Sequence, residues 1–289
     1  MANKALFDSR NEFKLNLGNI YNKPDPRDYF NGLGPLRYII PELAKPVFQA
    51  VFAALRNSRQ LATMTVLDLG CSYGINAALL KYGLCMRDLY HHYGTSEFGL
   101  LDRAALLQRD AALLNGRKKK ESLRLVGMDA APRAVSYATD AGLLDAGVTA
   151  NLETGPAPPA AAAKIASTDI IISTGCVGYV SENTFSHILE AVEGETPPWV
   201  ASFVLRMFPY DTIEETLAEQ GLTTEKLAGR TFMQRCFASE DEQVHVLGQL
   251  EEMHINPAGK EAEGQYHAEF FLSRPPEEIA HQPLEAILP

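Results

Sequence analysis

Two acids and a pair of glycines pose the chemical question. In TVLDLGCSYGINAALL (Thr65–Leu80) an apolar run ends in Asp68-Leu69-Gly70, crosses Ser72 to Gly74, and enters a segment rich in alanine and leucine. A second apolar run, LRLVGMD, ends in Asp129. An acid at the carboxyl end of a strand, beside a glycine turn, is placed to meet a ligand and accept hydrogen bonds from it. Gly70 lets the backbone come close to a ligand. A dinucleotide turn needs G-x-G-x-x-G, but here the middle glycine is absent and the spacing differs. A P-loop needs Gly-Lys-Ser/Thr, and no such pair follows Gly74. Diphosphate therefore suits the turn poorly. Asp68 has a plainer alternative as a cap of the following helix, and Asp129 alone is the weaker signal.

Further candidates lie where the other strands should end. Asn151 to Glu153 close the expected third strand, and Ser173 to Tyr179 follow the fourth. Tyr179 and Arg206, the latter near the end of the fifth strand, are candidates for the reacting centre, with Ser173 beside them. Arg206 can equally pair with a surface carboxylate. Tyr21, Arg27 and Tyr29 sit in a proline-broken stretch, where they either close over a ligand or simply pack. His91 and His92 are adjacent and cannot share a helix face, so no metal pair is expected there. His187, His245, His254 and His267 have no ligand spacing. Cys71, Cys85, Cys176 and Cys236 form no C-x-x-C pair and read as reduced thiols, with Cys71 and Cys176 as small fillers. No metal site is expected.

The elements that must position these groups follow from pattern. Residues 1–60 read as a helical N-terminal lid broken by NKPDPRDYFNGLGP (Asn22–Pro35), with helical spacing of apolar residues from Pro41 to Leu55. Residues 61–289 read as one α/β domain. Strands are expected at Thr65–Leu69, Leu123–Asp129, Val148–Glu153, Thr168–Gly175 and Trp199–Phe208, with closing strands in RTFMQRCFAS and QYHAEFFLSRP. Helices are expected at Ile75–Leu84, Pro132–Leu144, Ser181–Val192, and from an Asp211/Glu214 capping box to Gly221. Residues 85–120 form a helical insertion ending in the basic run Arg117–Lys120, read as a solvated loop. Alternation of strands and helices implies a doubly wound, mostly parallel sheet with ligands beyond the carboxyl ends of its strands.

Composition narrows the partners. The 289 residues carry a formal net charge of −10, which suits neither a duplex nor an anionic membrane surface. A small-molecule partner is the better expectation. The opening MANKALFDSRNEFKLNLGNI lacks a long apolar core, and no run of 18 apolar residues exists, so a cytoplasmic chain is expected.

The D-x-G-x-x-x-G order from Asp68 to Gly74 resembles motif I of class I S-adenosylmethionine (SAM) methyltransferases, although Ser72 stands where glycine is commoner. The resemblance covers about residues 60–275. It implies a Rossmann-like methyltransferase fold with a seven-stranded sheet and SAM as co-substrate. On that likeness Asp68 meets the ammonium, Gly70, Ser72 and Gly74 form the loop, and Asp129 meets the ribose. Asn151 and Leu152 flank the adenine, and Ser173 lies beside the methionine portion. A narrower likeness runs through YNKPDPRDYF, LDLGCSYGINAALL, STGCVGYVSENTF and GKEAEGQYHAEFFLSRP. These segments resemble bacterial methyltransferase-like proteins and the azetidine-2-carboxylate synthases, which keep the fold but consume SAM itself. Three functions follow: methyl transfer to a small acceptor, cyclisation of SAM with loss of methylthioadenosine, and SAM binding by a non-catalytic partner protein.

Overall fold

The computed structural model describes residues 18–94, 100–117 and 119–288. Residues 1–17 of the expected lid, and 95–99 and Lys118 of the insertion, lie outside them. Eight strands form one sheet: β1 (Met64–Leu69), β2 (Leu123–Met128), β3 (Ala146–Val148), β4 (Ile170–Thr174), β5 (Trp199–Leu205), β6 (Thr223–Lys226), β7 (Phe232–Cys236) and β8 (Gln265–Arg274). Their order is β3-β2-β1-β4-β5-β8-β6, with β7 paired to β8. The first five strands are parallel. β8 runs antiparallel to β5, β6 and β7. This is the expected doubly wound, mostly parallel Rossmann-like architecture, with eight strands instead of seven. The extra strand arises because one flank of the long β8 is covered twice. β6 pairs with Phe271–Arg274, and β7 pairs with Gln265–Ala268.

Burial explains why the central strands lack alternation. Every residue of β1 and β5 is buried, as is the isoleucine run of β4, because helices cover both faces. The helix Ile40–Arg59 is one such cover. It packs on the helix Ile75–Tyr82 and on β4, β5 and β7, and Phe48 meets Phe203 of β5 edge-on at 5.3 Å. The helices Met86–Tyr93 and Arg103–Asn115 build the insertion, and Asp110 ties it down. His92 Nε2 lies 2.7 Å from the Asp110 carboxylate, which also accepts from the Tyr93 and Tyr137 hydroxyls. His92 is thus a structural partner of a carboxylate. Among the described residues no helix is long and apolar enough to cross a membrane.

Four expectations are corrected. The third strand is Ala146–Val148, not Val148–Glu153, because β2 ends at Met128 and offers no ladder partner beyond Val148. The helix from Pro132 stops at Asp140, where Gly142 turns to φ +75° and Leu143 N–H bonds back to Ala138. The fifth strand ends at Leu205, because Phe208 N–H turns back onto its carbonyl. No capping box forms at Asp211, which is already the first helical residue. Tyr210 precedes it, buried and stacked on Phe271 at 4.5 Å, and this packing fixes where the helix begins.

Lys81 is buried to 1 % exposure, and its ammonium lies 2.5 Å from Asp145, whose side chain is 30 % exposed. Breaking a buried pair from the hydrated side strands the dry charge. Asp145→Ala is therefore expected to cost about 3 kcal/mol in urea unfolding, whereas Lys81→Met, which leaves the wetter partner alone, stays within about 1 kcal/mol.

Candidate active site

The turn after β1 is held by the end of β2. Gly70 and Cys71 N–H groups donate to the Met128 carbonyl at 2.8 and 3.2 Å. Ser72 N–H donates to Asp129 Oδ2 and Ala131 N–H to Oδ1, each at 2.9 Å. Gly70 has φ +75°, and a Cβ there would fall 2.6 Å from Cys176 Cβ. Only glycine lets the β1 and β4 loops approach so closely. Ser72 takes φ +48°, a left-handed conformation uncommon for a residue with a side chain.

Asp68 is fully buried in β1. It does not cap the helix Ile75–Tyr82, which begins at Gly74 with no side-chain cap. Its Oδ1 instead accepts from Asn76 Nδ2 at 2.9 Å, and the same amide reaches Thr174 Oγ1 at 3.2 Å. Asp68 Oδ2 and Ser72 Oγ are buried without a hydrogen-bond partner. Burial pushes the Asp68 carboxyl up to about 7, with the Asn76 hydrogen bond opposing and the Asp129 charge adding. Burial also raises Asp129, against the pull of the Ala131 and Ser72 amides.

Tyrosines surround these acids. Tyr29 meets Tyr21, Tyr38 and Tyr73 edge-on at 5.5, 6.1 and 5.8 Å. Burial raises Tyr21, Tyr38 and Tyr179, Tyr38 to about 12, and the Arg235 charge opposes the rise in all three. Asp129 acts on Tyr21 and Asp68 on Tyr38, so hydroxyls and acids share one region. Arg235 is buried, with its guanidinium 4.7 Å from the centre of the Tyr266 ring and bonded to both Glu242 oxygens at 3.0 and 2.6 Å. Burial alone would raise Glu242, but the Arg235 hydrogen bonds and charge hold it below the usual carboxylate range.

The remaining expected residues fall as follows. Ser173 is fully buried beside the Cys176 thiol. Leu152 is buried and Asn151 exposed, in a loop instead of a strand. That loop is anchored by Glu153, which accepts from Ser181 and Thr184, and by His187, which donates to the Leu152 carbonyl at 2.7 Å. Tyr179 is 54 % exposed. Arg206 pairs with a buried carboxylate, not a surface one: Glu261 at 2.6 Å, with the Asn256 carbonyl at 2.8 Å. Arg27 pairs with Asp25 at 2.8 Å. Burial raises both turn thiols, Cys71 well above its usual range and Cys176 to about 12, so neither is an activated nucleophile. Burial, then Arg206 and Lys260, lowers His267 to about 4. A cavity of about 250 Å³ is lined by Arg87, Asp88, His91, His92, Leu113 and Arg117, all of the insertion and none of the turn. Among the described residues no group of three metal-ligating side chains comes together.

Tyr38, Tyr73, Gln234, Arg235 and Glu242 belong to the same region and were not singled out from sequence. The available signal was RTFMQRC, where Gln234 and Arg235 interrupt an apolar strand and both are buried. Gln234 Nε2 lies 2.2 Å from where a Gly175 Cβ would stand.

No family model matches the chain, and no curated protein matches it. Solved structures of similar outline include the plantazolicin methyltransferase BpumL in complex with SAH. It is 11 % identical, with 94 % of this chain and 97 % of that chain covered, at a TM-score of 0.43. A SAM-dependent methyltransferase from Aquifex aeolicus is 14 % identical, with 87 % and 98 % covered, at 0.40. The magnesium protoporphyrin IX methyltransferase ChlM from Synechocystis PCC 6803 with bound SAM is 13 % identical, with 80 % and 79 % covered, at 0.37.

The raised Asp68 sets a pH dependence. A carboxyl whose folded value lies above its unfolded one lowers stability as pH climbs from the unfolded value, near 4, to about 7. Asp68→Asn removes that loss. In paired urea titrations the variant is expected to gain on the native protein between pH 4 and 7 and to hold a constant lead above it.

Proposed function

We propose that the chain binds SAM at the glycine turn and transfers its methyl group to a small-molecule acceptor. The observation that carries this reading is the buried Asp68 Oδ2, a carboxylate oxygen without a donor at the end of the central strand. An ammonium group supplies the donor that oxygen lacks. Asp129 gives one lone pair on each oxygen to a backbone amide and keeps another for a ribose hydroxyl. Gly70, Ser72 and Gly74 form the loop against which the amino-acid portion lies. Ser173 stands beside that portion, and Leu152 and Asn151 flank the base. Bound there, the sulfonium would supply an activated methyl carbon.

The protein's own work in this reading is orientation. The Tyr21 ring, packed on the buried Tyr29, offers aromatic surface that attracts a cation, and Tyr179 stands at the open side where an acceptor arrives. The tyrosine hydroxyls stay protonated at neutral pH, so they donate and accept hydrogen bonds and do not act as anionic bases. Holding an acceptor at near-attack distance is sufficient for large rate gains. Arg206, locked by Glu261, serves as a positioning residue at the end of β5.

One feature favours cyclisation of SAM as a second reading. Tyr21, Tyr29, Tyr38 and Tyr73 line the turn with aromatic surface beside a carboxyl lifted to about 7, which suits it to accept a proton from an amine. There the nitrogen–Cγ bond forms, the Cγ–sulfur bond breaks with its electrons leaving on methylthioadenosine, and the amine proton is released.

Calorimetry with SAM tests the shared premise. Asp129→Ala is expected to weaken binding by about 1–3 kcal/mol through lost hydroxyl contacts, and absence of SAM binding to the native chain overturns both readings. Product analysis then separates them. S-adenosylhomocysteine formed only with an added acceptor supports methyl transfer. Methylthioadenosine and a cyclic amino acid from SAM alone support cyclisation. Binding without turnover leaves a non-catalytic SAM-binding protein.

A further inference from the structure

The turn that faces the proposed ligand also grips the chain's N-terminal segment. Tyr73, between Ser72 and Gly74, is 1 % exposed, and among the described residues its hydroxyl bonds to backbone alone. It accepts the Lys23 N–H at 2.8 Å and lies 3.2 Å from the carbonyls of Ile20 and Lys23, either of which can take its proton. The same segment reaches across to the helix Pro132–Asp140. Asn22 Oδ1 accepts the Arg133 N–H at 2.9 Å, in the first turn of that helix, where amides have no partner within the helix. The Pro24 carbonyl accepts from Arg103 Nε at 3.3 Å. Tyr21 packs on Tyr29 and feels the Asp129 charge.

Residues 20–24 therefore form a strap from the glycine turn to the helix that follows Asp129. Ile20 and Tyr21 pack against the core at its start, and beyond them residues 22–25 are held by polar contacts. Residues 22–26 lie in no helix or strand, and Asn22 and Pro24 are exposed. Apolar anchorage resumes at Pro26, Tyr29 and Phe30. A segment with few buried apolar contacts and a few tethers opens at low cost relative to the sheet. We propose that Tyr73 is the latch of this strap, a positioning residue that holds residues 20–24 closed over the ligand and sets how fast the ligand leaves. The geometry explains the coupling. Ser72, next to Tyr73, is pinned in a left-handed conformation by Asp129, so a ligand engaging Asp129 or Ser72 acts on the backbone that aims the latch. The identity of the ligand rests on the proposed function; the latch itself does not.

Hydrogen–deuterium exchange on the whole protein tests it, with native chain, Tyr73→Phe and Asn22→Ala compared first without ligand. Tyr73→Phe keeps the ring and removes only the hydroxyl. Amides of residues 20–23 and 25 are expected to exchange about tenfold faster, equivalent to ~1.4 kcal/mol, while β1 and β4 are unchanged. Asn22→Ala is expected to act in the same direction by several-fold, and it serves if the first variant folds poorly. With labelled SAM in a chase, dissociation from Tyr73→Phe is expected to be about tenfold faster. Equal strap exchange in native chain and Tyr73→Phe overturns the latch, as does a rise spread over the whole sheet. A loosened strap with an unchanged SAM off-rate overturns its role at the site. If SAM fails to bind, the functional reading falls, and the ligand-free comparison still decides whether Tyr73 holds the strap.

Discussion

A carboxyl group sealed inside a sheet with half its hydrogen-bonding capacity idle is the constraint around which this molecule is arranged. Asp68 lies between β2 and β4, level with Gly127 on one side and Ile172 on the other, so the paired strands shield it laterally. Asn76 answers one oxygen from the next helix. Leaving the other unanswered is costly in a dry interior, and a folded chain tolerates such a group chiefly where it has work to do. The rise of its carboxyl toward neutrality records the same fact in protonic terms.

Around that group the fold supplies one hard wall and one soft one. The hard wall is the sheet edge, where the turn after β1 is stitched to the end of β2 and pressed against Cys176 at a distance no side chain at position 70 permits. Buried ion pairs stiffen its surroundings. Lys81 with Asp145 fixes the first core helix, Arg206 with Glu261 fixes the chain beyond β5, and Arg235 with Glu242 fixes the chain beyond β7. The soft wall is the N-terminal segment, docked through tyrosine rings and a few backbone hydrogen bonds.

The hard wall was readable in the sequence, and of the soft one the sequence offered the helical N-terminal segment with Tyr21 and Tyr29 but not the tethers that hold it. The central strands announce themselves as unbroken apolar runs, because a parallel strand buried on both faces has no polar side to show. The acids at their ends stand out against those runs. The short third strand was misplaced because its limit is set by where β2 stops, a fact of the neighbour and not of its own residues. β6 was missed because Thr223–Lys226 is polar and half-exposed, held by its partner β8 and not by its own burial. Arg206 could be read with either a ligand or a carboxylate, and the choice depended on Glu261, 55 positions away. Arg235 and Tyr38 escaped notice for a similar reason. Their meeting depends on backbone bonds between Leu36 and Cys236 and between Ile39 and Gln234, which no local pattern encodes.

The interruption between β6 and β7 has a mechanical consequence. Five residues, from Leu227 to Thr231, separate two short partners of the same long strand. β6 extends the sheet at its edge, while β7 carries the buried Gln234 and Arg235 toward the tyrosines. Because the two are separated by that break, a shift of β7 can be taken up between Leu227 and Thr231 while the parallel strands that hold the acids keep their register.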